Sequence, residues 1–298
     1  MANLRDIRNR ITSVNNTQQI TNAMKMVAAA KLRKAQDKIT ETRPFAAKIQ
    51  EVVGRLASSN TIANPVMQIA ESNQNLLFII VGSDKGLCGG FNNNLFKEVE
   101  KNFNANYSEQ IEAGTVSLIT VGKKATVYFK KRGYNVIKAF PGFFDKIDYD
   151  ATSSIMNEAI DEFINDKFDE VFIAFNEFKS VISQIRKIEK VLPIDPKNLI
   201  SLAENDDSKV VNEYLYEPNS EAILNKLLPL HLNMQLWKSV LESNASEQGA
   251  RMTAMESATE NAKELERDLK LKYNQARQSA ITTEISEIVS GAQALSDN

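Results

Sequence analysis

A chain of 298 residues, 43% hydrophobic and 25% charged, has the makeup of an ordinary globular protein and is long enough for two domains, or for one domain and an extended element. A formal net charge of −2 excludes the overall basic signature of a nucleic-acid binder. The one cysteine, Cys88, excludes an internal disulfide and fits a reducing compartment, and no run approaches the roughly 18 uncharged apolar residues that cross a membrane.

The opening MANLRDIRNRI has no apolar signal-peptide core and no Ser/Arg-rich transit lead. From Leu4 to about Ala57, Leu4, Ile7, Ile11, Val14, Gln18, Thr21, Met24, Ala28, Leu32, Ala35 and Ile39 step by three or four. That spacing predicts a long helix with a coiled-coil seam. Asn3 is a candidate cap. Pro44 predicts a kink or weak point over Thr42–Phe45, with the helix resuming through Ile49, Val52, Val53 and Leu56. Within TNAMKMVAAAKLRKAQ (Thr21–Gln36) a second apolar side, Ala23, Val27 and Ala30, lies among Lys25, Lys31, Arg33 and Lys34. A membrane-surface helix would segregate its charges from large apolar groups. Here small apolar faces flank the charges, so Arg8, Arg10, Lys25 and Arg33 are candidates for contact with an acidic protein partner, while Lys38 and Lys48 read as solvated. Met24 and Met26, like Met252 and Met255 later, read as adaptable core or interface fillers.

Between Asn75 and Pro193 the period changes. LLFIIV (Leu76–Val81) is an unbroken apolar run, as in a strand buried on both faces. Val116–Val121, Asn135–Ala139 and Val171–Phe175 are further strands, with helices over Phe91–Asn104, Gly122–Arg132 and Ala151–Asn165. The alternation predicts an α/β domain with a mostly parallel sheet, to which Val181–Leu192 adds an antiparallel edge. ENDDSK (Glu204–Lys209) reads as a solvated loop, and Glu217–Glu221 as a helix start.

From Glu221 to Leu295 helical spacing returns: Leu241, Ala245, Gln248, Met252, Met255, Thr259, Ala262, Leu265, Leu269, Tyr273, Ala276 and Ala280, then a shifted stripe of Ile281, Ile285, Ile288, Ala292 and Leu295. Pro229 marks a local distortion. At about 1.5 Å per residue the two terminal helices would run roughly 80 and 110 Å, longer than a compact domain of this size, so they are expected to project from it. Residues 1–60 carry 11 Lys/Arg against 4 Asp/Glu, a net of +7; residues 210–298 carry 8 against 13, a net of −5. Opposite signs predict that the two ends meet. Seam residues such as Ala, Thr and Gln bury little area each. The pair is then weakly held by its own seam, and the second apolar side implies a surface that encloses it.

No segment carries a convincing catalytic pattern. GSDKGLCGGFN (Gly82–Asn92) sits between a strand and a helix, where phosphate loops lie, but it matches neither G-x-x-x-x-G-K-[ST] nor G-x-G-x-x-G. Its glycines read as a tight turn with close helix–strand packing, and Cys88 within it as a packing residue. His231 is the only histidine and has no Cys or His cluster to complete a metal site. Asp161-Glu162 and Asp206-Asp207 read as solvated faces, not paired catalytic carboxylates.

LRDIRNRITSVNNTQQITNAMKMVAAAKLRKAQ resembles the N-terminal helix of the gamma subunit of F-type rotary ATP synthases, and SDKGLCGGFN resembles that family's loop in its globular domain. YLYEP (Tyr214–Pro218) is similar to the family's lead-in to the C-terminal helix, and SEQGARMTAMESATENA with YNQARQSAITTEISEIVSGAQAL to its C-terminal signature. The resemblance spans essentially the whole chain. It implies a long antiparallel two-helix coiled coil made by the N-terminal (1–60) and C-terminal (211–298) helices, with a central Rossmann-like α/β domain (61–210). It implies a central-stalk rotor subunit with no catalytic site, cofactor or metal of its own, present once per complex, that couples c-ring rotation to the catalytic sites of the alpha/beta ring. The implied partners are the alpha, beta, epsilon and c-ring subunits, with no nucleic acid. By the same resemblance Met24 and Lys25 lie near the base of the ring, Arg277, Gln278 and Thr282 make its upper contact, and Tyr214 and Glu217 face the c-ring and epsilon. The arginines Arg8, Arg10 and Arg33 would meet acidic groups of the ring. A single cysteine excludes the redox insert of plastid relatives, and the missing transit lead points to the cytoplasmic side of a bacterial inner membrane. The alternatives are a nucleotide-binding α/β module with coiled-coil arms and a structural coiled coil pairing between chains.

Overall fold

Five strands form one sheet in the order β3-β2-β1-β4-β5: β1 (Leu76–Val81), β2 (Val116–Val121), β3 (Asn135–Phe140), β4 (Glu170–Phe178) and β5 (Gln184–Leu192). The first three pairings are parallel and β4–β5 is antiparallel. The molecule, a computed structural model, is described over residues 4–59, 64–68, 74–195, 217 and 219–296. Tyr214 and the loop Glu204–Lys209 lie outside these residues. Among the described residues the α-helices are α1 (Leu4–Ser59), α2 (Phe91–Asn106), α3 (Ser108–Glu112), α4 (Lys123–Lys131), α5 (Tyr149–Ile164) and α6 (Ser220–Ser296). No helix among the described residues is long and apolar enough to cross a membrane.

Two compact units can be distinguished: Ala29–Arg251, and Met1–Ala28 with Met252–Asn298. In the first, the period-two geometry of β1 explains its unbroken apolar run. Leu77, Ile79 and Val81 point into a core shared with α5 and with Ile49, Val53, Leu56, Leu224, Leu228 and Leu232 of α1 and α6. Leu76, Phe78 and Ile80 point the other way, against α2 and α4. Phe78 stacks on Phe172 with centroids 4.6 Å apart and meets Phe103 edge-on at 4.7 Å. Each fully buried large side chain here contributes about 1.5–3 kcal/mol. Leu32, Ala35 and Ile39 of α1 pack on Leu241 and Ala245 of α6, so the helix pair continues upward from the domain core within this unit.

In the second unit the helices run antiparallel. Thr21 and Thr259 share a hydroxyl hydrogen bond of 2.7 Å, and Lys25 Nζ lies 2.5 Å from Glu256 Oε1. Ile7, Thr21 and Ala28 are the buried points of α1, and Met255, Thr259, Ala262 and Leu269 those of α6. The expected seam of α1 is therefore the observed one. On α6 Leu265 departs from it: it is 50% exposed, and half-buried Glu266 holds the inward position between Ala262 and Leu269. Two steps of three in succession, Thr259 to Ala262 to Leu265, would carry the stripe around the helix, so a step of four then three keeps it on one side. Ala280 is likewise exposed.

Pro44 does not interrupt α1, which is helical from Leu4 to Ser59. A proline removes one amide donor, and packing on both sides of it, at Ile39 and at Ile49, holds the helix through that loss. Asn219 caps α6, accepting from the Ala222 amide at 2.7 Å.

Candidate functional site: helix pair and anchoring loop

The loop Gly82–Asn92 leaves the carboxyl end of β1, the edge where open α/β sheets bind ligands. Its own side chains close it. The Asn92 Oδ1 accepts from the Ser83 amide at 3.0 Å, and Asn92 Nδ2 donates to Ser83 Oγ at 2.7 Å. Asp84 then takes three backbone amides: Lys123 and Gly142 on Oδ1 at 2.8 and 2.7 Å, and Phe144 on Oδ2 at 2.8 Å. These amides belong to the start of α4 and to the turn after β3, and the carboxylate ties both to the loop. A Cβ on Gly82 would lie 3.0 Å from Ala125 Cβ, and Gly89 has φ +58°, so close packing and a left-handed turn account for these glycines.

The outward carbonyls of this loop face α6. Arg251 Nη2 donates to the Gly86 and Lys85 carbonyls at 3.3 and 3.5 Å, and lies 2.6 Å from Glu247 Oε1. Glu247 is buried and Arg251 nearly so, their side chains 4 and 11% exposed. Burial pushes the Glu247 carboxyl up, against the pull of Arg251. Ser243 Oγ donates to the Val81 carbonyl at 3.3 Å, and Gly249 leaves room for Phe178 and Val181, each 3.5 Å from where a Cβ would stand. Two sequence segments 165 residues apart, SDKGLCGG and SEQGAR, thus form one joint between loop and helix. Cys88 is buried in it; burial first, and then the Glu247 charge, push its thiol up. His231 is buried on α6 and pushed down to about 4 by burial, a neutral core histidine at physiological pH.

The residues singled out from sequence fall on the helix pair. Arg8, Arg10 and Arg33 are exposed on α1, and Arg277, Gln278 and Thr282 on α6, where the Thr282 hydroxyl bonds the Gln278 carbonyl at 2.9 Å. Met24 is half-buried at the seam, and Lys25 is engaged by Glu256. Glu217 is exposed. The second apolar side of α1 is uncovered: Ile20, Met26 and Val27 are 60, 62 and 56% exposed. Counting back 17 residues from Thr21 to Leu4, and on by as many from Thr259, places the start of α1 near Ala276. Beyond it Ile281, Ile285, Ile288 and Val289 are 48–66% exposed. Sequence reasoning missed Asp84, Glu247 and Arg251; the one available signal was an Arg isolated in the otherwise small and apolar run GARMTAM.

The class that the fold defines is an α/β protein whose first and last helices pair antiparallel. The family described as ATP synthase matches residues 3–295. The chain is 48% identical over 297 residues to the ATP synthase gamma chain of Chlorobaculum tepidum and 47% identical over 296 residues to that of Chlorobaculum parvum, covering 99% of each chain in both comparisons. Among solved structures it is similar to a chain of the central stalk and c-ring of the Tetrahymena thermophila mitochondrial ATP synthase, at TM-score 0.60 and 25% identity, over 80% of this chain and 99% of that one. A chain of the Euglena gracilis mitochondrial enzyme has the same fold at TM-score 0.69 and 20% identity, over 98% and 94%. The chain belongs to the ATP synthase gamma-chain family, the rotor-stalk subunits of that machine.

Proposed function

We propose that this chain is the non-catalytic coupling element of its complex: the helix pair (1–60 and 211–298) turns inside the alpha/beta ring while the α/β domain (61–210) joins it to epsilon and the c-ring. One observation carries this reading. Apolar side chains at Ile20, Met26 and Val27 of α1, and at Ile281, Ile285, Ile288 and Val289 of α6, stand uncovered among the described residues of a pair whose seam is otherwise closed. Surfaces of that kind are made to be enclosed by another protein. The faces are chemically unlike, and that is what coupling requires. A partner shifts an equilibrium by its differential interaction with two states, so a rotor with unlike sides presents each ring subunit with a different contact at each angle. In this reading Arg8, Arg10, Met24, Lys25 and Arg33 meet the lower ring, Arg277, Gln278 and Thr282 the upper ring, and Tyr214 and Glu217 the c-ring and epsilon. The subunit is peripheral, present once per complex, on the cytoplasmic side of a bacterial inner membrane. The nucleotide-binding alternative lacks support in Gly82–Asn92, which matches neither phosphate-loop pattern.

Met24→Lys tests the proposal. It places a second cation one residue from Lys25 on a partly enclosed face. In inverted membrane vesicles, ATP-driven ion pumping is expected to fall several-fold more than ATP hydrolysis, with the complex still assembled. Parallel loss of both activities together with assembly would show that Met24 serves folding instead.

A further inference from the structure

Where α1, α6 and β4 meet, a cavity of about 450 Å³ shares Ile39, Arg43 and Glu242 with a second of about 230 Å³. Glu242 is 6% exposed; its Oε2 has no hydrogen-bond partner, and its Oε1 reaches Lys238 Nζ at 4.0 Å. Arg43 lines both spaces, yet forms no ion pair within 4.0 Å among the described residues. The other charges at the site are Lys238, which lines the larger cavity and holds Glu242 Oε1 loosely, and Glu177 with nearby Lys187, which pair with each other at 2.7 Å. A buried carboxylate oxygen without a donor and an exposed guanidinium therefore face one space without meeting. A buried carboxylate oxygen left this way costs about 1–3 kcal/mol, and one that borders a cleft is a candidate binding group.

The class of ligand follows from the pair of unmet groups. A simple amine would satisfy Glu242 and leave Arg43 beside a new cation. A simple carboxylate would satisfy Arg43 and still leave Glu242 Oε2 without a donor. A molecule with both charges satisfies each. Ile39, Ala46 and Leu241 supply an apolar wall. We propose that this cavity binds a small organic zwitterion, an amino acid or a short amino-carboxylate, with its ammonium on Glu242 and its carboxylate on Arg43. The site is independent of the coupling role above.

The test is saturation-transfer NMR on the full chain in its assembled complex, with leucine, 5-aminopentanoate, pentylamine and pentanoate as probes. At least one zwitterion is expected to bind with Kd below about 10 mM, and the matched amine and carboxylate at least about tenfold more weakly. Glu242→Gln and Arg43→Gln should each weaken binding about tenfold or more, the scale of one charge-assisted contact. Ala47→Trp, at an exposed position on the cavity rim, should block binding while leaving thermal melting unchanged. No zwitterion binding at about 10 mM, equal binding by pentylamine, or unchanged binding in the Glu242→Gln and Ala47→Trp variants would each overturn the proposal.

Discussion

Replacing Arg251 by Met should break the joint between the loop and α6 while keeping the side chain's length. The Glu247–Arg251 pair is 2.6 Å apart with side chains 4 and 11% exposed. Removing one member of a buried pair leaves the other charge uncompensated, at a cost of about 3–5 kcal/mol. The Gly86 and Lys85 carbonyls lose their donor as well, though at 3.3 and 3.5 Å those bonds are weak beside the charge effect. The assay is urea unfolding of the full chain followed by Trp237, the only tryptophan, which lies edge-on to Tyr149 at 5.7 Å. With a slope of about 3 kcal/mol per molar, the midpoint should drop by about 1–1.7 M. Adding Glu247→Gln removes the stranded charge, and the double variant should recover about 2 kcal/mol or more. A loss under about 1 kcal/mol for Arg251→Met, or a double variant no more stable than the single one, would refute the reasoning that the charge is buried and paired.

Glu242→Gln should alter the pH dependence of stability. Burial raises the Glu242 carboxyl above the ordinary 4.5. A raised carboxyl favours the folded state when protonated, so that contribution is present in acid and is lost as pH rises through the folded value. The glutamine variant should be more stable than the parent by about 1–3 kcal/mol at pH 8, the gain shrinking toward pH 4.5. Buried His231 destabilises both proteins alike in acid, so the difference between their melting curves isolates Glu242. Asp84→Ala frees three amides and should cost about 2–4 kcal/mol, read by the same Trp237 unfolding curve. Deleting Leu295–Asn298 should leave ATP-driven ion pumping within about twofold of the parent, a difference under about 0.5 kcal/mol.

The helix seams and the strands were legible because burial writes a period into the sequence. LLFIIV needed apolar residues on both faces, and Ile7 through Ile39 needed them on one side of a helix. Leu265 was misassigned because hydrophobicity alone cannot tell an inward leucine from one awaiting another surface; Glu266 reaches the seam with its aliphatic stem. Pro44 was overweighted, since local propensity yields to packing on either side. The joint at Arg251 was barely marked. An arginine isolated in GARMTAM stands out, but nothing local names acceptors that are carbonyls 165 residues away in a loop read mainly for its glycines. Asp84 was passed over for the same reason, since its partners lie in turns that follow two other strands.

Direct observation of rotation tests the coupling account most closely. With the alpha/beta ring fixed to a surface, a bead attached through Lys131→Cys, an exposed position on α4, reports the motion of this subunit, while native Cys88 is 2% exposed and escapes labelling. The account predicts sustained one-way turning of the bead on addition of ATP. Steady ATP hydrolysis with the bead stationary would contradict it.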